Sequence, residues 1–455
     1  MRNKRNKSSF GGYLLMVLLI GVGLYLYFSA TFERNAPIVT LKTNGYWNLK
    51  KPLQLKIEDS TGIKSYKVIL RTKNGDSELL YNQLLAPEKV VQLEVEPPRG
   101  AYAIKEKDIE IIVQAQDVSK WNFFKGNIAL KSFSLRIDKK RPQVSIVNNS
   151  YKISRGGSAL VIFKVEDENL HEIYIESNHK KRFQAEPFYK EGYYIALLAW
   201  PVKDERFKAT IVANDAAGNI AKSYVPFYLK NKDYRLSKIT LSDRFLHGKI
   251  AELAEQFDET QGIDDPLERF KIINEDVRAK NEALIHKLTS DVPQEMISDF
   301  TIKRMYPLKN AQVVARFGDH RKYYYKGKFI SEAYHLGLDL ASHAMASIKV
   351  QNSGHVVFAD YNGLYGNSPI ISHGLGLYTL YGHCSSVEVA TDDEVEPNSV
   401  IAKTGKSGYA MGDHLHFGVL VQGIEVRPQE WMDKQWIKLN ISDIIKSAKK
   451  IIDGK

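Results

Sequence analysis

Cysteine is nearly absent from this chain of 455 residues: Cys384 is the only one. No intramolecular disulfide can form, so the fold rests on packing and hydrogen bonding. An exported protein need not carry a disulfide, so the lack says nothing about compartment. Several catalytic signatures are missing as well. No His-Glu-x-x-His occurs; His171-Glu172 is followed by Ile175 where the second histidine belongs. Gly405-Lys406-Ser407 resembles part of a phosphate-binding loop, but Val400 takes the place of its first glycine. No Gly-x-Ser-x-Gly surrounds Ser407. These absences count against three large hydrolase classes. No nucleic-acid-binding module is visible either. The net charge of +11 therefore reads as solvation and attraction to an anionic wall polymer or membrane surface.

Arg2, Lys4, Arg5 and Lys7 precede an uncharged run over residues 8–32, with its apolar heart at 12–28. That length is at the short end of what spans a bilayer core. Basic residues before the run place the N-terminus in the cytoplasm. A cleaved signal peptide is the rival reading, but Phe28 occupies the outer specificity position of Phe28-Ser29-Ala30. The expectation is a basic cytoplasmic tail over 1–11 and a single-pass inner-membrane anchor over 12–32. The rest of the chain then faces the periplasm or cell wall.

A repeat follows. Pro37-Ile38-Val39-Thr40-Leu41 resembles Pro142-Gln143-Val144-Ser145-Ile146, and Leu55-Lys56-Ile57-Glu58-Asp59 resembles Phe163-Lys164-Val165-Glu166-Asp167. Polar turns come late in each copy, at Gln116-Asp117 with Gly126-Asn127 and at Asn214 to Asn219. A period of about 100 residues with short strands reads as two tandem β-sandwiches, over 37–138 and 139–231. Both resemble bacterial immunoglobulin-like modules, which implies wall or division-protein partners. Asp and Asn in such turns bond their own backbone, and that reading is preferred here to Ca²⁺ binding. Over 232–300 the pattern turns helical. Ser242-Asp243 and Asp265-Pro266 are caps, and Leu267, Phe270, Ile273, Val277 and Leu284 recur at helical spacing. This segment is expected to be a helical hairpin linking the sandwiches to a domain over 301–436, with a tail over 437–455.

Within that domain lie Tyr334-His335-Leu336-Gly337-Leu338-Asp339-Leu340 and Gly412-Asp413-His414-Leu415-His416-Phe417. Strand alternation would put His335 and Asp339 on one face and His414 with His416 on another, with leucines and Phe417 behind. Two histidines and one carboxylate on a rigid sheet suit a tetrahedral Zn²⁺ with one open position.

Read together with Arg316-Phe317-Gly318, the run Ile371 to His383 and Gly405-Lys406-Ser407-Gly408, these motifs resemble the LytM/lysostaphin-type zinc metallopeptidases. The resemblance implies His335, Asp339 and His416 as zinc ligands, and His383 and His414 as catalytic residues. It also implies peptidoglycan cross-links as substrate and an antiparallel β-sheet peptidase fold. Cys384, Ala344-Met345-Ala346-Ser347 and the Tyr/Lys-rich rim over 321–331 depart from the common pattern. None of them is a ligand position. Tyr381 shares the face of His383 and either lines the cleft or packs. His320 and His343 are candidates to flank the cleft, while His355 and His373 read as structural. The expected whole is mainly β and multidomain. The expected activity is that of a membrane-anchored zinc metalloendopeptidase of the wall. The rival is an inactive relative that activates another wall hydrolase.

Overall fold

The computed structural model describes residues 9–454; Arg2, Lys4, Arg5 and Lys7 lie outside them. The first element is the helix Ser9–Phe28. Its window Gly11–Phe28 is long and apolar enough to cross a membrane, a test that a signal sequence also meets. The chain divides into two compact units, the first comprising Met1–Pro142, Asp167–His171 and Asn214–Ile220.

The first unit holds a six-stranded sheet. Alternation in Leu53–Thr72 buries Leu55, Ile57 and Val68 against Ile111 and Val113. The expectation of short strands fails here, because Leu53–Thr72 and Gly75–Val95 run 20 and 21 residues. The Asp59 carboxylate accepts from the backbone amides of Thr61 and Gly62, and Gly62 has φ +118°. This is a bulge, where the register shifts between Glu58 and Ile63 and the ladder then resumes. The repeat leaves a physical trace in this unit. Asp117 Oδ2 accepts from Asn127 Nδ2 at 2.7 Å, and Asp215 Oδ2 accepts from Asn219 Nδ2 at 2.8 Å. Both aspartates also accept from the backbone amide of the same asparagine. The turns therefore bond themselves, as Asp/Asn turns do.

The second unit contains strands of two four-stranded sheets from the second repeat, in which Ser158–Glu166 pairs antiparallel with Tyr193–Ala199. These two strands are almost wholly buried. An eight-stranded sheet follows, built on Leu338–Ala341, Leu415–Val421 and Leu377–Gly382 side by side. The expected tail is not a tail. Lys434–Ile437 and Asp443–Ile452 are helices, and Asn440 O accepts from Ser150 Oγ at 2.9 Å.

The expected helical linker differs most. It begins with a strand, Leu236–Thr240, that pairs in parallel with His320–Tyr325. Ser242 and Asp265 cap helices as their sequences predict. The helices then share one core with the eight-stranded sheet and its neighbours. Leu246, Ile250, Phe270, Ile273 and Val277 pack with Tyr323, Leu364, Ile370 and Leu380. Ile285, rather than Leu284, faces this core, at 1% against 37% exposure. A turn of wider, π-type winding at Ile273–Val277 shifts the helical phase before it. A segment that buries this much apolar surface against the sheet is part of the domain, not a spacer.

Candidate metal centre

Strand pairing positions two of the candidate ligands. Leu338–Ala341 and Leu415–Val421 are antiparallel, with Asp339 directly opposite His416. Their side chains share a face, and Leu338, Leu340, Leu415 and Phe417 are buried on the other. His335 is not on the strand that carries Asp339, contrary to the single run expected from sequence. The strand Lys328–Tyr334 ends before it and the next begins at Leu338. The loop between them is pinned by Gly318 N donating to His335 O at 2.7 Å and His335 N donating to Asp319 O at 3.0 Å. His414 likewise precedes its strand, held by a bridge to Gly405.

The three ligand candidates converge. His335 Nε2 lies 3.0 Å from Asp339 Oδ1 and 3.2 Å from His416 Nδ1, and His416 Nδ1 lies 2.9 Å from Asp339 Oδ1. Ligands at about 2.0–2.1 Å on a tetrahedral ion sit roughly 3.3 Å apart. The donor set, its spacing and its burial therefore fit zinc. His335 Nδ1 donates to Arg316 O at 2.9 Å, which leaves Nε2 with its lone pair toward the cluster. Gly337 is required by close approach: a Cβ there would run into the His416 ring. Burial opposes charge on Asp339, yet the two imidazoles beside it hold its carboxyl well below the usual range.

Two more imidazoles face the cluster. His383 and His414 rings are 4.8 Å apart, and His383 is 5.7 Å from His416. His383 Nδ1 donates to Ser407 O and His414 Nδ1 to Gly412 O, at 2.9 and 2.8 Å. Each ring thus spends Nδ1 on a backbone carbonyl, and His414 Nε2 lies 3.6 Å from Asp339 Oδ2. His383 sits at φ +66°, a strained backbone for a residue with a Cβ. Burial, with His416 and His414 nearby, pushes its pKa down to about 3, so it is neutral at ordinary pH.

All five residues line one cavity of about 630 Å³. Among the other candidates, His320 stacks on Tyr334, which lines the cavity, while His355 pairs with Glu394 away from it. His343 bonds the neighbouring Ala344 carbonyl. His373 bonds Ser353 O and Thr379 Oγ1, and burial lowers its pKa to about 4. Tyr381 packs against Phe417 instead of lining the cavity. Cys384 is buried with its thiol toward Tyr381 O. The sequence reading missed Arg278, Phe245, Tyr365 and Tyr409, all of which line the cavity. It also missed Asp413, which accepts from Thr404 Oγ1 and Met345 N and so ties the His414 loop to the rim.

Residues 333–428 match peptidase family M23. The C-terminal part of this chain carries an M23 domain. Three relatives place that M23 domain among known proteins. Stage II sporulation protein Q of Bacillus subtilis is 35% identical over 116 residues, 25% of this chain and 39% of that protein. DD-carboxypeptidase/endopeptidase Mpg of Neisseria meningitidis serogroup B is 33% identical over 94 residues, 21% of this chain and 22% of that protein. Murein hydrolase activator EnvC of Escherichia coli is 31% identical over 98 residues, 22% of this chain and 23% of that protein. The chain thus spans well under half the length of each of these relatives.

Proposed function

We propose that this protein is a membrane-anchored, extracytoplasmic zinc endopeptidase that hydrolyses peptide cross-links of peptidoglycan. The observation that carries the reading is the convergence of His335 Nε2, Asp339 Oδ1 and His416 Nδ1 within 3.2 Å, with the His383 and His414 imidazoles beside them. His335, Asp339 and His416 would hold the zinc. When bound, it supplies Lewis acidity and a nucleophile at neutral pH. The carboxylate of Asp339 leaves the loaded site with a net charge of about +1, favourable to a developing oxyanion. His383 and His414 accept and return protons at Nε2 or hydrogen-bond the developing oxyanion, while Ser407 O and Gly412 O keep each ring oriented. Peptidoglycan as substrate is supported by the M23 match and by the DD-carboxypeptidase/endopeptidase relative. The helix Ser9–Phe28 is the anchor in this reading, and the repeats are immunoglobulin-like modules that meet wall or division proteins.

A second reading is favoured by one relative, the murein hydrolase activator: the cleft would bind and activate another hydrolase. A retained ligand set with both flanking imidazoles supports hydrolysis over that alternative. The deciding experiment measures zinc per chain and release of fragments from isolated sacculi by the full-length protein, with and without chelator. Stoichiometric zinc and chelator-sensitive cleavage are expected. A protein without zinc or cleavage that stimulates a partner hydrolase would reverse the choice.

A further inference from the structure

The cavity that holds the cluster is also lined by two arginines. Apart from the histidines, four charged residues line it: Asp339, Asp413, Arg278 and Arg321. Asp339 belongs to the cluster, and Asp413 is spent on Thr404 and Met345. The two arginines come from elements distant in sequence. Arg278 follows the π-type turn Ile273–Val277 on the helical segment, and Arg321 lies on the strand His320–Tyr325. Arg278 stands by the Tyr409 ring, with its guanidinium carbon 5.9 Å from the centroid.

Each guanidinium is held but not consumed. Arg278 donates from Nε and Nη2 to Asn274 O and Oδ1, at 3.1 and 3.0 Å. Asn274 is itself buried and donates to Ser331 Oγ at 2.8 Å. Among the described residues no carboxylate forms an ion pair with Arg278. Arg321 meets Asp319 only through Nε, at 3.4 Å, and Asp319 also accepts from Ser237 Oγ. Guanidiniums with N–H groups to spare, on the lining of the cavity that holds the cluster, are suited to a carboxylate; Arg321 also lines a second cavity. Nothing in the hydrolysis of a neutral amide calls for this charge.

We propose that Arg278 and Arg321 bind a free carboxylate of the substrate, so that the preferred substrate is an acidic peptide with an ionised carboxylate close to the scissile amide. The inference rests on the endopeptidase reading and sharpens it. The helical segment is then a specificity element, since it supplies one of the two cations.

The test uses two synthetic cross-linked peptides that differ only in whether the flanking carboxylate is free or amidated. With full-length, zinc-loaded protein, the free acid should be cleaved with kcat/KM roughly 10–100-fold higher, mainly through KM, as expected for a charge-assisted hydrogen bond. Arg278→Gln and Arg321→Gln should each bring the free-to-amidated ratio toward one, and Arg278→Lys should keep part of it. Zinc content reports folding in every variant. Equal cleavage of both peptides by the unaltered protein would overturn the inference, as would variants that leave the ratio unchanged. If neither peptide nor sacculus is cleaved, the hydrolase reading is what fails. Calorimetric titration of the two peptides then decides the carboxylate site, with equal affinities overturning it.

Discussion

The two walls of the cleft are built by different physics. One wall is sheet: Asp339 and His416 are cross-strand partners, and backbone hydrogen bonds set their separation. The other includes Phe245 and Arg278, which reach the cavity from a helical segment held mainly by apolar packing of Phe270, Ile273 and Val277. Strand pairing locates atoms through directional bonds repeated every second residue. Hydrophobic packing is non-directional, so it places a surface without dictating which residue will face the site. Asp339 and His416 of the cluster therefore sit on the sheet, while Arg278, one of the two arginines proposed to choose the substrate, sits on the helical segment.

The largest expected effect breaks the sheet wall. His416→Ala should remove zinc and abolish sacculus cleavage together, read as metal per folded chain beside rate. Stoichiometric zinc in that variant would refute its assignment as a ligand.

Next come the imidazoles that flank the cluster. His383→Ala and His414→Ala should keep zinc yet slow cleavage by about 10²–10⁴-fold, the usual contribution of general acid–base groups. The double variant should fall short of the product of the two losses if they act as a unit. Near-normal cleavage by zinc-loaded His414→Ala protein would reduce that residue to a packing role.

The helical wall is tested through Phe270, which is fully buried and meets the Tyr323 ring edge-on at 5.1 Å. Phe270→Ala should destabilise the M23 domain by about 3–5 kcal/mol, seen as a lower melting temperature of its zinc-loaded transition in calorimetry. An unchanged transition would mean that the helices are a spacer after all.

The smallest effect lies away from both walls. Glu186 is 1% exposed, and burial raises its pKa from 4.5 to about 7, with the Leu375 backbone amide as its partner. Folding therefore favours the neutral acid. That stability is fully present below pH 4.5 and is lost as pH rises through 7. Glu186→Gln should raise stability by on the order of 1–3 kcal/mol at pH 8 and by little at pH 4.5. A gain of equal size at both pH values would show that the carboxyl is not the cause.

Much of the site was legible before any coordinates. His335, Asp339, His383, His414 and His416 stand in short motifs whose spacing encodes chemistry, and the fold brings all five to one cavity. The helix caps at Ser242 and Asp265 were legible for the same reason: they depend on residues within one turn. The alternation behind Asp339 and His416 also survives, because a strand's two faces are set locally.

What the sequence determined by itself, then, are features whose physical causes lie within a few residues: the apolar helix, the caps, the alternating strands and the histidine motifs. Tertiary structure alone decided the rest. It took His335 off the strand that bears Asp339, because the loop answers to Gly318 and Asp319. It fused short strands of the first unit into a 20-residue one through a bulge at Gly62, because the ladder's continuation depends on a partner strand. It folded the expected tail into helices that meet the second repeat. Above all, it turned a presumed linker into a wall and put Arg278 in the cleft. An amphipathic helix announces that it must bury a face, but the surface that receives that face is chosen by packing across long stretches of chain.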